Sequence, residues 1–237
     1  MRIIVYTVIL ISLCSCEPTE KSFEKLMDDA TTKFEIQDYK GALQETEKAI
    51  KLKPNEAIGY TVRGEANRRL ENYKAAIQDF NKAIELNSDD YLPYNNRGLA
   101  KRKLEDYRGA IQDFNKAIRL EPDCAGCHSN RAYAKEKLGQ YEEAMIDYNE
   151  SIDLNPNDAI LYNNRGSLKH EVEDYKGAIR DYNKAIKLKS DYAIAYFNRG
   201  NSQLRLGNKS NACRDWSKAG ELGEADSYDK IKQYCND

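Results

Sequence analysis

The sequence predicts an all-α solenoid, an elongated stack of six helix–turn–helix units closed by a short C-terminal helix. Three observations predict it. A tyrosine recurs every 34 residues, at Tyr39, Tyr73, Tyr107, Tyr141 and Tyr175, and self-similarity at such a period is the mark of a repeat array. After each tyrosine the apolar residues fall at helical spacing, as in Ala110, Ile111, Phe114, Ala117, Ile118 and Leu120. A polar residue stands just before each of these helices: Asp38, Asn72, Asp106, Gln140, Asp174 and Asn208. All but Gln140 are good N-caps, able to accept from free backbone N–H groups. Thin linear cores with much surface suit 237 residues that are 32% charged and 41% hydrophobic. A net charge of −2 supplies no global field toward nucleic acid, and no nucleic-acid partner is expected. Five prolines and little low-complexity sequence argue against long disordered tails.

The N-terminus differs from the rest. Arg2 precedes a largely apolar run from Ile3 to Leu13, which matches the n- and h-regions of a secretory signal and is too short for a comfortable membrane span. Leu13-Cys14-Ser15-Cys16 follows. With the small Ser15 before Cys16, the string resembles a bacterial lipoprotein signal; Cys14, preceded by Leu13, fits poorly. The resemblance implies a signal peptide over residues 1–15, lipidation of Cys16 and a short tether over 16–22. It also implies an exported protein held on a bacterial envelope membrane, expected to be the outer one, through its N-terminal lipid only.

Aligned on the tyrosines, the units run 23–56, 57–90, 91–124, 125–158, 159–192 and 193–226, leaving 227–237 as a tail. In the third unit the first helix carries Tyr94, Gly98 and Leu104. Pro54, Pro122 and Pro156 follow the ends of second helices, where no further helical N–H is needed. The fifth unit sets out the pattern as Tyr162, Gly166, Tyr175, Ala178, Tyr182 and Ala185. These residues resemble the tetratricopeptide repeat, and the likeness covers nearly all of 23–226. It implies a right-handed superhelical solenoid that binds proteins. The end units depart: Leu26 and Thr46 stand where aromatics are wanted, Lys209 replaces the tyrosine, and Gly220 replaces a large aliphatic. Degenerate ends are expected of capping repeats. The tail places Tyr228, Ile231, Tyr234 and Cys235 on a helical stripe, and a Cys213–Cys235 disulfide would pin it over the last core.

Two further columns run through the repeats. Arginines recur at Arg63, Arg97, Arg131, Arg165 and Arg199, and acids at Glu45, Asp79, Asp113, Asp147, Asp181 and Asp215. Pairing within the first unit would set Asp29 against Glu45, which is like-charged. Pairing across units gives every arginine an upstream acid: Glu45–Arg63, Asp79–Arg97, Asp113–Arg131, Asp147–Arg165 and Asp181–Arg199. The inter-repeat ladder is therefore expected, as a clamp between units.

The family resemblance implies that first helices line a concave groove for a protein or an extended peptide segment. On this chain the groove takes in Asn95, Asn96, Leu99 and Arg102, then Asn130 and Tyr133, then Asn163 and Asn164, and last Asn198 and Asn201. The column Asn96, Asn130, Asn164, Asn198 offers carboxamides that donate and accept, as an extended backbone requires; the alternative is that these groups bond locally and serve repeat geometry. Arg68, Arg69, Arg102, Lys103 and Lys137 form a basic flank that would favour an acidic segment.

Cys124-Ala125-Gly126-Cys127-His128 reads as a c-type haem attachment string, as a local disulfide, or as packing and turn residues. His128 occupies the column of Tyr94 and Tyr162, which speaks against haem. There is no P-loop, no glycine-rich dinucleotide loop and no H-E-x-x-H string, and the two histidines, His128 and His170, lie in different repeats. The expectation is a binding protein with no catalytic residues and no cofactor. A haem or dithiol carrier and a spacer with an empty groove are the alternatives.

Overall fold

The computed structural model describes residues 22–235; the expected signal peptide, Cys16 and the expected tether up to residue 21 lie outside them. Thirteen α-helices and no strand occur among the described residues. They pair as α1 (Phe23–Glu35) with α2 (Tyr39–Leu52), α3 (Ala57–Arg69) with α4 (Tyr73–Leu86), and α5 (Tyr91–Lys103) with α6 (Tyr107–Leu120). Next come α7 (Ala125–Lys137) with α8 (Tyr141–Leu154), α9 (Ala159–Glu171) with α10 (Tyr175–Leu188), and α11 (Ala193–Arg205) with α12 (Lys209–Glu221). Helix α13 (Asp226–Tyr234) packs on α12. None of the described helices is long and apolar enough to cross a membrane.

The recurring tyrosine opens the second helix of its unit, with the polar residue before it as N-cap. Only the aspartates cap with their side chains: Asp38, Asp106 and Asp174 accept from the N–H of Gly41, Gly109 and Gly177 at 2.9 Å. A Cβ on those glycines would lie 1.9–2.1 Å from the capping carboxylate. Asn72, Gln140 and Asn208, followed at the same offset by Ala75, Glu143 and Asn211, make no such bond. The cap thus needs aspartate and glycine together, which corrects the expectation for Asn72 and Asn208.

Within each hairpin a small residue meets a large one. Phe80, Phe114, Tyr148, Tyr182 and Trp216 are all at most 1% exposed. A Cβ on Gly98 would lie 2.6 Å from the Phe114 ring, so the two helices approach only because Gly98 has none. At the N-terminal end Thr46 fills the aromatic column, its hydroxyl donating back to the Ala42 carbonyl at 2.9 Å. At the C-terminal end Gly220 leaves room for Tyr228, whose hydroxyl donates to the Gly220 carbonyl at 3.2 Å. Cys235 is bonded to Cys213, and the Tyr234 ring lies 5.8 Å from that of Trp216.

The arginine ladder does not run as the sequence suggested. Each arginine pairs with the acid of its own unit: Arg63 with Asp79, Arg97 with Asp113, Arg131 with Asp147, Arg165 with Asp181, and Arg199 with Asp215. Arg97 and Asp113 lie equally far on either side of Glu105, in the turn between α5 and α6, and antiparallel helices bring such residues face to face. Glu45, lacking an arginine in its unit, takes Lys48 on its own helix at 2.9 Å. The guanidiniums nonetheless join repeats through a column that sequence reasoning missed. Nη1 of Arg97, Arg131, Arg165 and Arg199 donates to Oδ1 of Asn81, Asn115, Asn149 and Asn183 of the preceding unit, at 2.6–2.8 Å. The signal was present, since those asparagines also repeat every 34 residues.

Candidate binding groove

First helices of successive units touch one another along the whole array, α1 with α3 and on to α9 with α11, while no such series joins the second helices. The first helices are therefore the inner wall of the curve, and the residues at their middle face a common groove. Asn95, Asn96, Leu99, Arg102, Asn130, Tyr133, Asn164, Asn198 and Asn201 are all partly exposed there, whereas Asn163 is buried. Leu99 also leans on the core formed by Ala110, Phe114 and Ala134.

The carboxamides are not equivalent. Asn130 Nδ2 donates to Asn95 Oδ1 at 3.3 Å, and Asn198 Nδ2 donates to Asn163 Oδ1 at 3.1 Å. Each bond links one unit to the next, and each needs an asparagine at the fifth position of the upstream helix. Thr61 and Ser129 hold that position upstream of Asn96 and Asn164. Thr61 turns its hydroxyl back to the Ala57 carbonyl at 3.1 Å, and neither Asn96 nor Asn164 has a side-chain hydrogen bond among the described residues. Asn201 accepts from the Trp216 indole N–H at 3.2 Å through its carboxamide oxygen. Local bonding therefore accounts for Asn130 and Asn198, and leaves Asn96 and Asn164 as unspent donors and acceptors.

Charge changes along the wall. In the second unit Glu65 holds both Arg68 and Arg69, at 2.6–2.7 Å. Arg102 follows, stacked on the Tyr133 ring with its guanidinium carbon 4.7 Å from the ring centre. Its Nη1 donates to Asn130 Oδ1 at 3.3 Å. Burial, with Arg68 nearby, lowers the Arg102 pKa from its usual value. Beyond Tyr133 the wall turns acidic: burial raises the pKa of Glu136, which accepts from the Tyr148 hydroxyl at 3.2 Å. Burial pushes Tyr182 up to about 12. A recess of about 200 Å³ lies between Glu136, Ser167, His170, Glu171, Tyr182, Asn198 and Asn201. In it, His170 Nδ1 is 2.7 Å from the buried Ser202 hydroxyl. Burial, with a contribution from Arg205, lowers the His170 pKa.

The Cys124–His128 string lies apart from these groups. Cys124 and Cys127 are bonded to each other, with Cys124 as N-cap of α7. His128 Nε2 lies 3.0 Å from the Pro122 carbonyl. In the same column, Tyr60, Tyr162 and Tyr196 hydroxyls donate to the carbonyls of Pro54, Pro156 and Ser190, also six residues upstream. The imidazole takes over the bond a tyrosine makes at this position, which explains the histidine without a haem iron. No cluster of three or more metal-ligating side chains occurs among the described residues.

Comparison with known proteins gives a consistent result. Models of the tetratricopeptide repeat match residues 57–90 and 91–124, and TPR repeat models match 136–173 and 166–207. No curated protein sequence matches the chain. Among solved structures, PilF of Pseudomonas aeruginosa superposes with a TM-score of 0.77 at 15% identity, over 89% of this chain and 96% of that one. A tetratricopeptide repeat protein from Parabacteroides merdae gives 0.71 at 24% identity, over 92% and 85%. YrrB, described as a TPR protein with an unusual peptide-binding site, gives 0.61 at 21% identity, over 79% and 97%.

Proposed function

The chain belongs to the tetratricopeptide repeat family, and from that premise we propose that it is a non-enzymatic adaptor. It holds an extended segment of a partner protein along the inner wall of its solenoid, and Cys16 carries the lipid that keeps it on a bacterial envelope membrane. The observation that carries the reading is the state of the inner-wall asparagines. Asn96 and Asn164, two units apart, have carboxamides with no side-chain partner among the described residues. An extended backbone presents N–H and C=O groups at regular intervals and satisfies such pairs without regard to its side chains. The peptide-binding site named for YrrB, a neighbour of the same fold, supports the reading by analogy.

The test is a photo-reactive amino acid at Leu99 on the inner wall, compared with the same group at the exposed Arg119 on α6. Cross-links to a discrete protein from Leu99 and not from Arg119, lost in an Asn96→Ala/Asn164→Ala variant, are the expected result. Equal cross-linking from both sites, or none from Leu99, defeats it. The anchor is tested separately: Cys16→Ser releases the protein from the membrane fraction if the lipid holds it there, and leaves it bound if it does not.

A further inference from the structure

We propose that the junction of the third and fourth repeats, built on Arg102, Tyr133 and Lys137, is a seat for an acidic side chain of the bound segment. The proposal rests on the groove reading and specifies its chemistry. It starts from a regularity in how this fold treats arginine. Arg63, Arg97, Arg131, Arg165 and Arg199 are only 17–27% exposed at the side chain, and each meets a carboxylate that is 4–7% exposed. Arg68, 18% exposed, is held by Glu65 through two bonds. Removing a guanidinium from water is costly, and in each of these cases an opposite charge offsets the cost.

Arg102 departs from that pattern. It is partly buried, and its contacts are with neutral groups, the Asn130 carboxamide and the face of Tyr133. The ring is flanked by a second cation, since Lys137 Nζ lies 5.2 Å from its centre. Two positive side chains thus converge on one aromatic face pair beside the groove, with no ion pair formed by either among the described residues. Tyr133 holds Arg102 in place, which lowers the ordering cost of a ligand meeting it. A guanidinium held in this way has free N–H groups for a carboxylate, and the charge-assisted bond would supply the counter-charge the fold leaves out.

The site also sets a register. An acidic side chain displaced toward the fifth repeat would enter the recess that holds Glu136 and Glu171 and be repelled. The seat is therefore set on the third-repeat side of Glu136, beside Asn130.

The experiment measures fluorescence anisotropy of labelled poly-L-glutamate and poly-L-lysine with the full chain and three variants. Arg102→Met keeps the stem on Tyr133 and removes the charge. Lys103→Met removes the same charge from the exposed neighbouring residue. Arg102→Lys keeps the charge and loses the fork, and far-UV circular dichroism confirms that each variant is folded. Expected are binding of poly-L-glutamate and not poly-L-lysine, a loss of about tenfold or more in Arg102→Met, an intermediate loss in Arg102→Lys, and less than about twofold in Lys103→Met. Equal losses in Arg102→Met and Lys103→Met would show a diffuse surface field and overturn the seat, as would preference for poly-L-lysine. The Leu99 cross-link separates the two levels: a cross-link that persists at full yield in Arg102→Met refutes the seat and leaves the groove standing, whereas its absence in the unaltered chain refutes the groove.

Discussion

Removing Arg97 should unfold the third repeat's clamp, and the energy should be coupled to Asp113 and not to Asp79. Asp113 is 3% exposed, accepts two bonds from Arg97, at 3.0 and 2.5 Å, and forms an ion pair with Lys101 at 2.8 Å. At about 1.5–3 kcal/mol for each hydrogen bond to a charged group, and with Lys101 still holding part of the charge, Arg97→Ala should cost about 2–4 kcal/mol. The loss of the Asn81 contact is included in that figure. In a double-mutant cycle read by urea unfolding and far-UV circular dichroism, Arg97 and Asp113 should couple by about 2–3 kcal/mol. Arg97 and Asp79 should couple by less than about 0.5 kcal/mol, because Asp79 is held by Arg63 and Asn67 in its own unit. Coupling to Asp79 as large as that to Asp113 would refute the intra-unit assignment.

Three further outcomes are expected. Reducing Cys213–Cys235, which closes a separation of 22 residues, should cost about 3 kcal/mol locally and red-shift the emission of Trp216, the chain's single tryptophan, as α13 leaves it; unchanged emission would show that the cap stays without its bridge. Glu105 sits at φ 62° where Gly139 sits at 74° in the next unit. Glu105→Gly should raise, and Gly139→Ala lower, the unfolding free energy by about 1 kcal/mol in urea titrations. Burial raises the Glu136 pKa in the folded state, so ionisation opposes folding as pH rises through the ordinary carboxylate value of about 4.3. Glu136→Gln should therefore be more stable than the parent at pH 7.5 and lose that advantage at pH 3.5, as urea midpoints at the two values would show.

The fold was largely legible because its determinants are local and repeat. Tyr107 opens a helix, Asp106 caps it, and Gly98 admits Phe114, all in columns visible at a period of 34. The direction of the arginine clamp is masked in the sequence by the exceptional first unit, which carries Asp29 where the other units carry arginine. The rule that residues equidistant from a turn meet would have paired Arg97 with Asp113. The groove was legible as a set of residues but not as a set of states. Whether an asparagine is spent or free depends on a contact one repeat upstream, where Thr61 and Ser129 differ from Asn95 and Asn163. His128 shows the converse: its column declared an aromatic role, and the bond to Pro122 shows how imidazole fulfils it.

The central claim is that the inner wall is where a partner lies, and side-chain amide NMR of Asn-labelled protein tests it most directly. On titration with the segment recovered from the Leu99 cross-link, the Nδ2 resonances of Asn96 and Asn164 should move most and those of Asn130 and Asn198 little. Shifts confined to residues on the second helices, with Asn96 and Asn164 unmoved, would contradict it.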